Sequence, residues 1–161
     1  MPSLPPYRDM PGIIPVRGML SDLLGREVSV RDALHLDLDR DDLFSAILPD
    51  DEDNLSALFV CDLPFVCNTG GALSIVPAAT VAESIEAGEP SELLAENYYE
   101  VANIMTGLLN GPDWTHIRIT EVVPGVPDEA RALADVAIGK TTVEVTIPGY
   151  GDGTMTMFAE P

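Results

Sequence analysis

The segment Glu96-Asn-Tyr-Tyr-Glu-Val-Ala-Asn-Ile-Met-Thr-Gly107 lies in the longest stretch of helical apolar periodicity in the chain, and the rest of the fold can be placed around it. The stretch begins at Ser91, a residue type that caps helix N-termini. It ends at Asn110, directly before a Gly-Pro pair that stops helices. The sequence therefore predicts a helix over residues 91–110.

The two sides of this predicted helix differ in chemistry. At about 100° per residue, one arc of about 80° holds Glu96, Glu100, Asn103, Gly107 and Asn110. The opposite side is apolar and is predicted to face the core: Tyr98, Val101, Ala102, Ile104, Met105, Leu108 and Leu109. Asn and Gly are both unfavourable inside a helix. Their occurrence on one exposed face indicates that the face is used, although an ordinary polar face with incidental Asn and Gly is the alternative.

Working outward, apolar patterning and turn residues predict further elements along the chain. The predicted helices cover 15–24, 65–76, 78–87 and 127–137; the predicted strands cover 27–31, 43–48, 55–61, 116–123, 141–147 and 154–159. Asp152-Gly153 is predicted to form the last hairpin turn. The Gly70-Gly71 pair either weakens its helix or allows another backbone to approach closely.

Two short segments, one in each half of the chain, have similar sequences. Met19-Leu-Ser-Asp-Leu-Leu-Gly25 and Ile104-Met-Thr-Gly-Leu-Leu-Asn110 each end an apolar helix, break, and lead to an alternating strand. We predict an α+β fold of two related helix-plus-strands halves, with helices packed on an antiparallel sheet. Residues 1–161 are expected to form a single domain, with residues 1–12 as an extended, Pro-rich N-terminal arm.

Charge restricts the classes of partner. The 161 residues include 27 Asp and Glu but only 8 Lys and Arg, which gives a formal net charge of −19. Such a surface repels phosphate backbones and anionic lipids, so we expect neither nucleic-acid nor membrane binding. It favours basic protein partners, cation association or solubility alone. We see no signal peptide and no apolar stretch of roughly 18–20 residues, and we expect a cytoplasmic protein.

The residues that bind metals or form disulfides are sparse. Cys61 and Cys67 lack the C-x-x-C spacing and lie in apolar surroundings, so we predict free, buried thiols. The acidic run from Asp37 lacks the glycine and the closing glutamate of a calcium loop, because Asp42 and Leu48 stand at those positions. We predict no metal site.

The helix resembles the signature helix of the CheC/CheX/FliY family of chemotaxis phosphatases. That pattern has Asp or Ser, three residues, Glu, two residues and Asn, and a proline farther along the chain. Glu96, Glu100 and Asn103 stand at these positions, with Glu96 in place of Asp or Ser. Pro124 and Pro127 bracket the place of the proline.

The resemblance implies one site, as in the CheX type. In the first half, the positions that echo Glu100 and Asn103 fall on Pro15 and Gly18. The family removes the phosphoryl group from the aspartate of a CheY-type receiver. By resemblance, Asn103 would orient the attacking water and Glu100 would pair with a receiver lysine, while Glu96 and Gly107 would contribute to the partner surface.

The resemblance implies no cofactor for this chain, because the Mg²⁺ of the reaction would belong to the phosphorylated receiver. Two other functions stay open on the sequence alone. One is a non-catalytic adaptor that holds a signalling or motility partner through the same helix face. The other is an acidic structural domain with no site on that helix. A homodimer formed through a strand edge also stays open.

Overall fold

The computed structural model describes residues 10–160, so most of the predicted N-terminal arm lies outside the described residues. The helices are α1 (Ile13–Leu24), α2 (Leu63–Leu73), α3 (Ala78–Ala87), α4 (Glu92–Met105) and α5 (Asp128–Val136). The strands are β1 (Ser29–Asp32), β2 (Leu43–Pro49), β3 (Leu55–Asp62), β4 (Glu121–Pro124), β5 (Gly139–Ile147) and β6 (Gly151–Ala159). The predicted α+β class is confirmed.

The strands form one antiparallel sheet in the order β1-β5-β6-β3-β2-β4. Exchanging β1 with β4, β2 with β5 and β3 with β6 gives the same order read backwards. The two halves therefore meet at the central pair, β3 and β6. The short first strand of each half pairs with the hairpin of the other half: β1 pairs with β5, and β4 pairs with β2. The prediction of two related helix-plus-strands halves is confirmed.

Both faces of the sheet are covered. Phe59 and Cys61 of β3 pack into a large core together with residues of α1, α2 and α4. Leu58 and Val60, which point to the other face, pack against Ala130 and Leu133 of α5. A central strand covered on both faces reads as a continuous apolar run, which is what the sequence of β3 shows. α3 lies outside this arrangement, against α2 and the start of α4.

Two strand predictions need correction. The predicted strand over 116–123 is shorter, because only Glu121–Pro124 pairs with β2. Ile117 instead makes an isolated bridge to Asp50, and its backbone is held by Asn110.

The last hairpin turns at residues 148–150 and not at Asp152-Gly153, since the Tyr150 N–H donates to the carbonyl of Ile147 at 2.9 Å. Gly153 instead lies in β6, where an added Cβ would come within 2.4 Å of Phe65 Cα. The absence of a side chain at Gly153 allows α2 to approach closely and is not required by the turn.

The longest helix also ends earlier than predicted. α4 stops at Met105 and continues as a 3₁₀ turn over Thr106–Leu108. The Thr106 hydroxyl donates to the carbonyl of Ala102 at 2.9 Å, and Gly107 has low helix propensity, so the regular ladder is not extended. Gly107 therefore lies just beyond α4.

Candidate functional site

A close helix–helix contact fixes the position of α4. The hydroxyl of Ser91 caps the helix by accepting from the Leu94 N–H at 3.3 Å. At Gly70 of α2, an added Cβ would lie 2.6 Å from the backbone oxygen of Leu94. Asn97 spans the same contact, donating to the Gly70 carbonyl and to Ser74 Oγ, both at 2.8 Å. The second interpretation of the Gly70-Gly71 pair, close backbone approach, is confirmed.

Tyr98 fixes the rotation of α4 about its axis. Its side chain is buried, its ring meets Phe65 edge-on with centroids 6.3 Å apart, and its hydroxyl lies 2.9 Å from Cys61 Sγ. Burial raises the pKa of both the Tyr98 hydroxyl and the Cys61 thiol, so both are neutral near pH 7. Cys61 and Cys67 are free and buried, as predicted. With Tyr98 in the core, the opposite side of the helix faces outward.

That outward side carries Glu96, Glu100 and Asn103, all exposed. Within residues 10–160, none of the three side chains makes a hydrogen bond or an ion pair with another residue. Gly107 is exposed as well, and an added Cβ there would meet nothing within 4 Å. Glu96, Glu100 and Asn103 thus share one exposed side of α4, and Gly107 follows in the adjoining 3₁₀ turn. We call the surface formed by these four residues the α4 face.

The remaining asparagines use their amides inside the protein. Asn97 bonds to α2, Asn68 donates to the carbonyl of Asp152 at 3.3 Å, and Asn54 bonds to Asp50. Asn110, predicted to share the outward arc, is instead half-buried. It accepts from the N–H of Ile117 and donates to its carbonyl, both at 2.9 Å. Among the asparagines on the helices of the described chain, Asn103 alone has an amide with no internal partner.

Five arginines of the described residues are engaged by groups that lie outside α4. Arg31 pairs with Glu144, Arg40 with Asp42, Arg118 with Asp53 and Arg131 with Asp39. Arg26 donates to the carbonyl of Pro148 and stacks on Tyr150. α4 itself contains three glutamates and no Lys or Arg. Its exposed face is therefore a uniformly negative surface suited to a basic partner.

No cluster of three or more His, Cys, Asp or Glu is arranged to hold an ion within residues 10–160. In the same range, no helix combines the length and apolarity needed to cross a membrane.

A groove of about 530 Å³, which sequence patterning did not predict, borders the α4 face. Its wall is apolar, with Phe44 from β2, Val66 from α2, Tyr98 from α4, and Val122 and Pro124 from β4, and Glu96 also lines it. The groove could not be foreseen because these residues come from four elements far apart in the sequence. Only the position of Pro124, noted in the resemblance, pointed toward this region.

The fold was compared with known proteins. No family model matches the sequence, and no curated protein matches it. A chain of the FliM–SpeE complex from H. pylori superposes with a TM-score of 0.61, at 8% identity, covering 92% of this chain and 81% of the other. A chain of the FliG–FliM complex from H. pylori gives 0.55, at 9% identity, covering 92% and 86%.

The chain shares the α+β fold of these chains from FliM-containing complexes. The architecture implied by the resemblance is confirmed by this likeness. Because folds of this kind can host different activities, the function has to be argued from the α4 face.

Proposed function

We propose that the α4 face binds a CheY-type receiver and hydrolyses its aspartyl phosphate. The observation that carries the proposal is Asn103, whose amide is exposed and free of internal partners beside the equally free carboxylate of Glu100. A helix interior gains no stability from an exposed asparagine, so a free amide at this position is best explained by use in a complex.

The chemistry requires positioning more than strong acid–base catalysis. Water attacks the phosphorus in line, the bond between phosphorus and the aspartyl oxygen breaks, and inorganic phosphate and a free aspartate result. In the proposal, the Asn103 amide hydrogen-bonds the attacking water and holds it in line. The Mg²⁺ that balances the phosphoryl charge stays with the receiver, and this chain contributes no cofactor.

Glu100 has the complementary role of holding the partner. One helical turn from Asn103, its carboxylate would pair with a lysine of the receiver, and Glu96 and Gly107 would complete the contact. A complementary charge pair of this kind fixes the register of the two proteins in the complex. The negative α4 face would also speed the approach of a basic surface on the receiver.

The second candidate is a non-catalytic adaptor that uses the same face. The likeness to chains from FliM–SpeE and FliG–FliM complexes favours it, since both are assemblies of proteins. The adaptor would hold a signalling or motility partner through the α4 face, and Asn103 would accelerate no hydrolysis.

Decay of a phosphorylated receiver from the same organism separates the candidates. Wild-type protein should accelerate decay, and Asn103→Ala should lose on the order of 10²-fold of that acceleration while still binding. Glu100→Ala should weaken binding, whereas Glu129→Ala, the same change on the exposed side of α5, should leave binding and decay unaltered.

Binding without acceleration by the wild type would reject the phosphatase and favour the adaptor. Failure of every cognate receiver to bind would reject the phosphatase, leaving either an adaptor for another signalling or motility partner or an acidic structural domain. Equal acceleration by Asn103→Ala and wild type would remove Asn103 from the mechanism.

A further inference from the structure

The groove beside the α4 face has features of a protein-docking site. It is open, about 530 Å³ in volume, and lined almost entirely by apolar side chains. Pockets of roughly 300–1,000 Å³ accommodate substantial apolar groups. Tyr99, which is 36% exposed, and Ala95 form its rim on α4. The groove and the α4 face therefore share one helix and one residue, Glu96.

The edge strand beside the groove restricts how a partner can bind. β4 is the outermost strand, and Pro124 at its end lacks the N–H that an added strand would need. Glu121, which is exposed on the same strand, further disfavours strand addition. A partner would therefore insert a side chain between β4 and α4 and would not extend the sheet.

Charge defines the neighbourhood of that side chain. Glu96 is the one titratable carboxylate among the groove-lining residues, and no Lys or Arg lines the groove. The Glu96 carboxylate has no partner among the described residues. An apolar side chain entering the groove would place its chain neighbours beside this unpaired negative charge, where a basic residue is favoured.

We propose that the groove receives a large apolar side chain of the receiver, next to a Lys or Arg that pairs with Glu96. The proposal rests on receiver binding by the α4 face and adds a second contact to it. The apolar contact supplies affinity, because large side chains in well-packed pockets dominate binding energy. The α4 face then positions the phosphoryl chemistry alongside it.

The test is to fill the groove. Ala95→Trp places an indole at the rim, and Ala132→Trp makes the same change at an exposed alanine of α5, on the opposite face of the sheet. Receiver binding is measured by calorimetry, and folding of each variant by thermal unfolding. We expect at least tenfold weaker binding for Ala95→Trp and wild-type affinity for Ala132→Trp. Glu96→Gln should also weaken binding. Tyr99→Ala, which removes the exposed ring from the groove rim and leaves the α4 face intact, should weaken binding and decides the matter if Ala95→Trp does not fold.

Each failure has its own signature. Unchanged affinity in both Ala95→Trp and Glu96→Gln overturns the groove proposal, while accelerated decay would still support the phosphatase. Weaker binding of the Ala95→Trp variant without any decay activity in the wild type supports the groove and rejects the phosphatase. A wild-type dimer in sedimentation velocity that Ala95→Trp converts to monomer overturns the proposal in favour of a second copy of this chain. Absence of receiver binding by the wild type overturns both proposals.

Discussion

Substituting Gly70 by Ala tests whether the contact between α2 and α4 holds the site in place. The added Cβ would lie 2.6 Å from the Leu94 carbonyl oxygen, about 0.8 Å inside an ordinary contact of 3.4 Å. The opposing atom is backbone, so no side-chain rotation can relieve the clash. The helices would have to separate, which also strains the hydrogen bond from Asn97 to the Gly70 carbonyl.

Two effects set the size of the change. Overpacking of this kind costs about 1–3 kcal/mol, and Ala gains about 1 kcal/mol over Gly in helix propensity. Because the clash involves fixed backbone, we expect the upper half of that cost and a net loss of about 1–2 kcal/mol. For a chain of this length, the melting temperature should fall by about 2–8 °C.

The control is Gly18→Ala, the same change on the exposed side of α1, where an added Cβ meets nothing within 4 Å. It should stabilise the protein by up to about 1 kcal/mol through helix propensity alone. Both variants are compared with wild type by thermal and urea unfolding, followed by circular dichroism. A Gly70→Ala variant that is as stable as Gly18→Ala would refute the close approach of α4 to α2.

Three further outcomes are expected. Asn110→Ala should lower the free energy of unfolding by about 1–3 kcal/mol, because two hydrogen bonds to Ile117 disappear. Asn103→Ala should change it by less than about 0.5 kcal/mol. Urea unfolding compares the two variants, and equal losses would contradict the structural role of Asn110 and the free amide of Asn103. Burial raises the pKa of Cys67 to about 11, so its thiol stays protonated until the pH approaches that value. Iodoacetamide labelling at pH 8, read by mass spectrometry, should be at least about 100-fold slower in the native than in the urea-unfolded protein, and equal rates would refute burial. Receiver binding should weaken as salt rises, with a smaller dependence in Glu100→Ala than in wild type; calorimetry at several salt concentrations measures both slopes, and equal slopes would remove Glu100 from the interface.

Local patterning predicted most elements of the fold. The segments of α1, α3 and α5 and the hairpin of β2 and β3 appear within a few residues of their predicted bounds. These segments have strong periodicity and clear stop signals, such as Gly25, which takes the left-handed conformation at the end of α1. One error arose where a glycine has a tertiary role, at Gly153, which makes room for α2, and another where Ile117 bridges to Asp50 outside the sheet pairing of β4.

The candidate site divides in the same way. The sequence by itself determined that Glu96, Glu100 and Asn103 share one helix face, because helical geometry fixes the spacing of side chains on a single element. Helical periodicity alone did not separate Asn103 from Asn110, since both lie on one arc of the predicted helix and only the tertiary structure pairs Asn110 with Ile117. The groove was decided only by tertiary structure, because it exists where β2, β4, α2 and α4 meet. Contacts between elements depend on packing over the whole core, and no local pattern records them.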